Sequence, residues 1–163
     1  MKKLIGLLLT GFLLTLSIMT QAQTSTTDKA YLLNIHNIGT DKAAVRASRD
    51  YWERSGDPDN THWYKIPLGY MAEYYSGPTQ VHYVYDKKGG FLYSIRTYTQ
   101  KEMSADLRHL VRSNYYDFSI GWVKEVEQEG VTAYVVHIED SVSWKELAVQ
   151  DGEIRVLHAY CKE

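Results

Sequence analysis

The feature that most constrains the fold is a pattern of period two on both sides of short glycine-containing turns. Apolar and polar residues alternate through Val81–Asp86 and again through Phe91–Tyr98, and the turn Lys87-Lys88-Gly89-Gly90 joins the two runs. Successive side chains of a strand point to opposite faces, and glycine supplies the positive φ that a tight hairpin needs. The pattern therefore predicts an antiparallel hairpin. No helix follows the glycines, so the turn is not a phosphate-binding loop.

The same pattern predicts further strands along the chain. Asp151-Gly152 is a preferred turn pair and joins two more alternating runs into a second hairpin. Gly77 and Gly130 mark other turns, each next to a run rich in aromatic or β-branched residues. The additional predicted strands are Tyr70–Tyr75, Ile120–Val126, Val131–Glu139, Trp144–Val149 and Glu153–Tyr160.

Two segments have helical rather than strand periodicity. Thr40 or Asp41 can cap the first helix and Gly56 can end it, while Ser104 can cap the second. In each segment apolar residues recur at helical spacing, which predicts one buried face. These stripes contain Ala44, Ala47 and Tyr51 in the first helix, and Leu107, Leu110, Val111 and Tyr115 in the second.

The order of elements predicts an α+β fold built from two related units. Gly90 and Gly152 are separated by 62 positions, and so are Tyr98 and Tyr160. We therefore expect two tandem helix-plus-antiparallel-sheet repeats, residues 40–100 and 101–163, within one compact domain. Their strands are expected to form a curved sheet with the helices packed on one face.

The N-terminus has the features of a secretory signal peptide. Lys2 and Lys3 precede the apolar run Leu4–Met19, and Thr20-Gln21-Ala22 is a small-x-small cleavage site. We expect residues 1–22 to be removed, residues 23–39 to form an extended segment, and no stable membrane insertion after cleavage. The alternative is an uncleaved anchor, but the run is short for a membrane span. The mature chain is thus predicted to be periplasmic or secreted.

Composition and motifs exclude several function classes. The formal net charge is −2, with no basic patch that predicts nucleic-acid binding. Cys161 is the only cysteine, so it is either an inert thiol at a strand end or a partner for another chain. Asp57, Asp59 and Asn60 resemble the start of a calcium loop, but the glycine and distal glutamate of that motif are missing.

Catalytic and metal motifs are also missing, and we predict neither an enzyme, a cofactor nor a metal site. No nucleophile elbow, Walker loop or dinucleotide glycine pattern occurs. A hydrolytic site assembled from dispersed His and Asp residues remains a less favoured alternative. None of the histidines stands at metal-ligand spacing; they are His36, His62, His82, His109, His137 and His158.

Two stretches carry a family resemblance. The run Gly69–Tyr75, the strand that ends at Tyr85 and the turn Asp86–Gly90 resemble the secreted PepSY-like proteins, also described as similar to β-lactamase inhibitor protein. Ser104–Gly130 resembles their recurring unit of a capped helix ending in tyrosines, then a strand and a glycine turn. The resemblance covers about residues 40–163. It implies a curved antiparallel sheet, secretion and a protein-binding or inhibitory role, but no particular target.

The tyrosines indicate where such a role would lie. All 14 follow the predicted signal peptide, and the strands carry them at both odd and even positions. One sheet face must pack the helices, and Tyr and Trp on the other face suit a binding interface. We predict that the chain binds an unidentified periplasmic or extracellular protein through this open sheet face; a small-ligand or peptide sensor with a pocket between helices and sheet is the alternative. The predicted binding residues are Tyr83, Tyr85, Tyr93, Tyr98 and Trp122.

Overall fold

The computed structural model describes Tyr31–Leu32, residues 41–56, Pro58 and residues 60–162. The predicted signal peptide, nearly all of the predicted extended segment, and Asp57 and Asp59 of the calcium-loop comparison lie outside these residues. Within the described part of the chain, no helix is both long enough and apolar enough to cross a membrane.

The described strands form one antiparallel sheet in which every strand pairs with its neighbours in sequence. The first strand, β1, has only two residues, and the other eight are longer. Short turns join most neighbouring strands, as expected for a meander. The strands are β1 Tyr31–Leu32, β2 His62–Ile66, β3 Gly69–Ser76, β4 Thr79–Asp86, β5 Phe91–Thr99, β6 Ser119–Gln128, β7 Val131–Glu139, β8 Ser143–Gln150 and β9 Glu153–Cys161.

The predicted fold class of two tandem helix-plus-sheet repeats is wrong. In the described part of the chain, the structure is a single, predominantly β-sheet assembly with two helices, and its sheet runs without a break across residue 100. Strand β5 pairs with β6 from Ser94–Glu127 to Thr99–Trp122, in the middle of the sheet. The equal 62-residue offsets reflect two hairpins with similar turn chemistry, and similar turns do not divide a continuous sheet into units.

The first helix, α1 (Lys42–Ser55), begins and ends as the sequence predicts. The Asp41 side chain caps it by accepting hydrogen bonds from the amides of Ala43 and Ala44, and Gly56 ends it in the left-handed conformation. Tyr51 is fully buried beneath it and makes edge-to-face contacts with Trp63 and Tyr83, at centroid distances of 5.4 and 5.3 Å. This aromatic cluster fixes α1 on strands β2–β5.

The second helix, α2 (Ala105–Asn114), packs on the same face of the sheet farther along. The Ser104 hydroxyl accepts a hydrogen bond from the Leu107 amide, which confirms the predicted cap. Leu107 and Val111 are buried against Val123, Val136 and other apolar residues of β6–β8. The sheet therefore has a helix-bearing face and an opposite face, which we call the outer face.

Three β-bulges change which residues share a face. In β6 the register shifts between Ile120 and Val123, so both residues lie in the core beneath α2. Uninterrupted alternation predicts Ile120 on the same face as Trp122; the bulge removes that relationship, since it inserts an extra residue. The other two shifts lie in the β4–β5 and β8–β9 pairings.

Candidate functional site

Four aromatic side chains form a continuous row on the outer face, across strands β6 to β9. The Trp122 and His137 rings stack at a centroid distance of 5.2 Å, and His137 and Trp144 lie 5.3 Å apart. Trp144 stacks on Tyr160 at 4.2 Å. We call Trp122, His137, Trp144 and Tyr160 the aromatic row.

The row is accessible to a partner although its members support one another. The side chains of Trp122, His137 and Trp144 are partly exposed, and Tyr160 is 50 % exposed. Two of the three neighbouring pairs are stacked, and the His137 and Trp144 rings are tilted by 36°. Few rotamers are lost when such a preassembled surface binds.

The register of the strands brings the rings of the aromatic row together on one face. Trp144 and Tyr160 are directly paired across β8 and β9. The alternate residues of the same strands, such as Val136, Ile138 and Leu147, enter the core beneath α2 and fix which face the row occupies. A core-forming set and a surface-forming set thus share each strand.

A partly buried cation borders the aromatic row. The Lys124 ammonium lies 4.9 Å from the centroid of the Trp122 ring, within cation–π range. Burial lowers the pKa of Lys124, although the Glu146 carboxylate acts in the opposite direction. Glu146 is itself buried and lies 2.9 Å from the ring nitrogen Nδ1 of His158.

The centre of the outer face is apolar and buried. Val84, Ile95, Val126 and Val135 lie there, none more than 7 % exposed. Beside them, His82 lies 3.8 Å from Glu73. Burial lowers the pKa of His82 and nearby Lys124 acts in the same direction, while Glu73 raises it. The part of the outer face where aromatic rings line up in contact at the surface is therefore the β6–β9 end.

The predicted binding residues are distributed over both faces of the sheet. Trp122 is a member of the aromatic row. Tyr85 is fully buried beneath α1, Tyr98 is buried in the core beneath α2, and Tyr83 packs on the helix-bearing face. Tyr93 lies on the outer face but is only 8 % exposed. The structure thus brings Trp122 alone of these residues into the row.

Sequence reasoning missed His137, Trp144 and Tyr160 as a group. Their signal was present in the hairpin around Asp151-Gly152, since counting outward from that turn brings the ends of β8 and β9 together. The bulge in the β8–β9 pairing defeats a simple count, because it adds one residue to one strand only.

A concave feature lies on the helix-bearing face, on strands β3–β6. It is a cleft of about 360 Å³. One wall is aromatic and apolar, with Tyr74, Val81 and Tyr83, and the other carries Arg96, Glu125 and Glu127. The cleft and the aromatic row therefore lie on opposite faces of the sheet.

Other candidate chemistry is sparse in the described part of the chain. There, no three His, Cys, Asp or Glu side chains gather in a way that could hold a metal ion. Cys161 is exposed at the end of β9.

Comparison with solved structures shows the fold. A BLIP-like protein from Bacteroides fragilis is 15 % identical, with a TM-score of 0.59 over 72 % of this chain and 84 % of that one. A DUF2874 family protein from Bacteroides ovatus is 11 % identical, with a TM-score of 0.59 over 71 % of this chain and 85 % of that one. The fold is BLIP-like. A PepSY-like relationship is not shown.

A third neighbour is a Bacteroides eggerthii protein suggested to be periplasmic, 11 % identical with a TM-score of 0.57 over 71 % of this chain and 86 % of that one. No protein-family model matches the chain, and no curated protein matches it. At these identities, the comparisons with solved structures describe architecture and assign no activity.

Proposed function

We propose that the chain is a secreted or periplasmic, non-enzymatic module that binds a protein partner through the outer face of its sheet. The observation that carries this proposal is the aromatic row, a line of partly exposed stacked rings across four strands. Trp and Tyr dominate the energetics of protein interfaces because they bury much apolar area and keep a polar edge.

Two further observations support the proposal. The predicted signal peptide agrees with the suggested periplasmic location of the Bacteroides eggerthii neighbour. The BLIP-like fold of the Bacteroides fragilis neighbour agrees with the resemblance to proteins whose role is binding or inhibition. We therefore place the partner in the cell envelope or outside the cell.

Capture from the native envelope tests this function. The mature chain, tagged at its N-terminus, is cross-linked in an envelope fraction beside the triple variant Trp122→Ala, Trp144→Ala, Tyr160→Ala. The matched control removes the exposed rings of Trp52, on α1, and Tyr116, both of which lie outside the row. We expect the wild type and the control to retain the same partner and the triple variant to lose it.

The interpretation requires that the triple variant be folded. We expect it to fold, because the replaced side chains are not members of the two helix-bound core clusters. Far-ultraviolet circular dichroism and a thermal melt test this expectation. Equal capture by a folded triple variant, or no capture by the wild type, contradicts the proposal.

A further inference from the structure

We infer that the cleft on the helix-bearing face is a second binding site and that it takes an alkylammonium group: a short aliphatic stem that ends in a positively charged amine. This site goes beyond the protein-binding function proposed above, because it lies on the opposite face of the sheet from the aromatic row. The inference rests on the shape, the charge balance and the hydrogen bonding of the cleft.

The shape accepts a small group. At about 360 Å³ the cleft lies in the size range of ligand sites, which is about 300–1,000 Å³. Tyr74 and Tyr83, whose ring centroids are 6.5 Å apart, form one side with Val81. Burial, reinforced by neighbouring tyrosines, raises the pKa of Tyr83 to about 12, so its ring remains neutral at physiological pH. This side offers an apolar surface on which methylene groups can pack.

The charges on the other side do not balance. Among the described residues, the lining includes two carboxylates, Glu125 and Glu127, but one cation, Arg96. Glu125 is satisfied at both oxygens, since Arg96 lies 3.3 Å from Oε1 and the Tyr98 hydroxyl donates to Oε2 at 2.8 Å. Within the residues that the structure describes, the cleft therefore retains one uncompensated negative charge, which belongs to Glu127.

Glu127 has little support from the described part of the protein. Its one hydrogen bond there is a long one, 3.4 Å from the buried Ser94 hydroxyl to Oε2. Arg54 also interacts with Glu127, but the hydrogen bond to Asp50 is the largest cause of its raised pKa and Glu127 is the last of the named causes. Arg54 bonds Asp50 at 2.7 Å and lies over the Phe91 ring, so it is already paired.

An ammonium group supplies the positive charge that would pair with Glu127. It can donate charge-assisted hydrogen bonds to Glu127 while its stem packs against the tyrosine side. A carboxylate ligand would be repelled by the excess negative charge, and a neutral alcohol would gain the apolar contact without the ion pair. Two sources share this chemistry, a free alkylamine and a lysine side chain of a peptide.

The test is an NMR titration of the ¹⁵N-labelled mature chain with n-butylamine at low salt, in which amide chemical shifts report binding. n-Butanol and butyrate serve as ligands of similar size with no charge and the opposite charge. We expect saturable shifts at the cleft residues of β4–β6 with n-butylamine, much weaker binding of n-butanol, and no binding of butyrate. Equal affinity for n-butylamine and n-butanol overturns the inference.

Two substitutions should change the affinity for n-butylamine in opposite directions. Glu127→Gln removes the free carboxylate and should weaken n-butylamine binding at least threefold, whereas Arg96→Gln removes the competing cation and should strengthen it. Glu129→Gln, at an exposed turn beside β6, is the matched control and should change nothing. Unchanged affinity in Glu127→Gln overturns the inference. Because Arg96→Gln alters affinity in the other direction, a general loss of folding cannot reproduce the pair of results.

Two further ligands distinguish the sources. Tighter binding of N-acetyl-lysine amide than of 1,5-diaminopentane assigns the site to a lysine of a peptide, and the reverse order assigns it to a free polyamine. Either order supports the site, while failure of both ligands to bind overturns it.

Discussion

At the scale of single residues, buried tyrosines set how the protein responds to alkali. Burial raises the pKa of Tyr70 and Tyr83 to about 12, and it also raises the pKa of Tyr85, Tyr93 and Tyr98 above the ordinary value. In the unfolded chain a tyrosine loses its proton near pH 10. The folded state therefore holds more protons than the unfolded state above this pH, and the free energy of unfolding falls as pH rises.

Tyr83→Phe isolates one of these contributions. The raised pKa means that the contribution of Tyr83 is intact below pH 10 and is lost as pH rises toward about 12. We expect the stability of the variant to fall less steeply between pH 10 and 12. The difference in slope is at most about 1.4 kcal/mol per pH unit, the limit for one ionising group. Urea denaturation at several pH values measures the slope. An identical slope in both proteins contradicts the assignment.

Asp41 links the cap of α1 to the sheet. Its side chain accepts hydrogen bonds from two helix amides and from the Tyr70 hydroxyl, and this last bond is the chief cause of its lowered pKa. Asp41→Ala removes all three, and loss of a cap alone costs about 1 kcal/mol. We expect urea denaturation to show a loss of at least that size, whereas Asp117→Ala at an exposed site leaves stability nearly unchanged. Equal effects of the two substitutions contradict this role.

At the scale of elements, the β4–β5 turn is a contact with α1 as well as a turn. Gly89 has φ +77°, and a Cβ placed on it would lie 2.2 Å from the carbonyl oxygen of Ala43. At Gly152, with φ +79°, a Cβ would meet no atom within 4 Å. The two glycines therefore share a conformational requirement but differ in packing.

The two turns make a matched pair for mutation. Gly152→Ala should cost about 1–2 kcal/mol, from the left-handed conformation alone. Gly89→Ala should cost about 3 kcal/mol, because the collision with α1 adds to the same strain. Thermal and urea unfolding of both variants measure the difference. Equal losses show that the turn does not contact α1 closely.

The elements also show how much the sequence can predict. Caps and turns are local, so Asp41, Gly56, Ser104 and the Asp151-Gly152 turn were all identified from a few residues each. The face that a strand residue occupies is not local: period two says that Tyr83 and Val84 point oppositely but not which one meets a helix. Every β-bulge then exchanges the faces beyond it, as Ile120 shows.

At the scale of the whole molecule, a continuous sheet carries different chemistry on its two faces. The helices occupy one face and leave a charged cleft, while the opposite face presents the aromatic row. The row comes from four strands whose residues are up to 38 positions apart, so no short motif marks it. The sequence identified Trp122 but not its three neighbours, because their proximity depends on sheet register.

Energetics of the interface give a quantitative expectation. A central Trp in a protein interface contributes about 2 kcal/mol or more, which corresponds to roughly 30-fold in affinity. Trp144 contacts both His137 and Tyr160, so its loss divides the row. We expect Trp144→Ala to weaken binding of the captured partner by about this factor in titration calorimetry. Unchanged affinity in the folded variant would mean that Trp144 is not part of the interface.

The most direct measurement of the central claim is site-specific photocrosslinking in a native envelope fraction. A benzophenone amino acid replaces Tyr160 in one protein and Tyr116 in another, both of which are at least half exposed. We expect a discrete adduct with one partner from position 160 and none from position 116, because only position 160 lies in the aromatic row. Adducts from position 116 alone, or from neither position, contradict the claim that the outer face binds the partner.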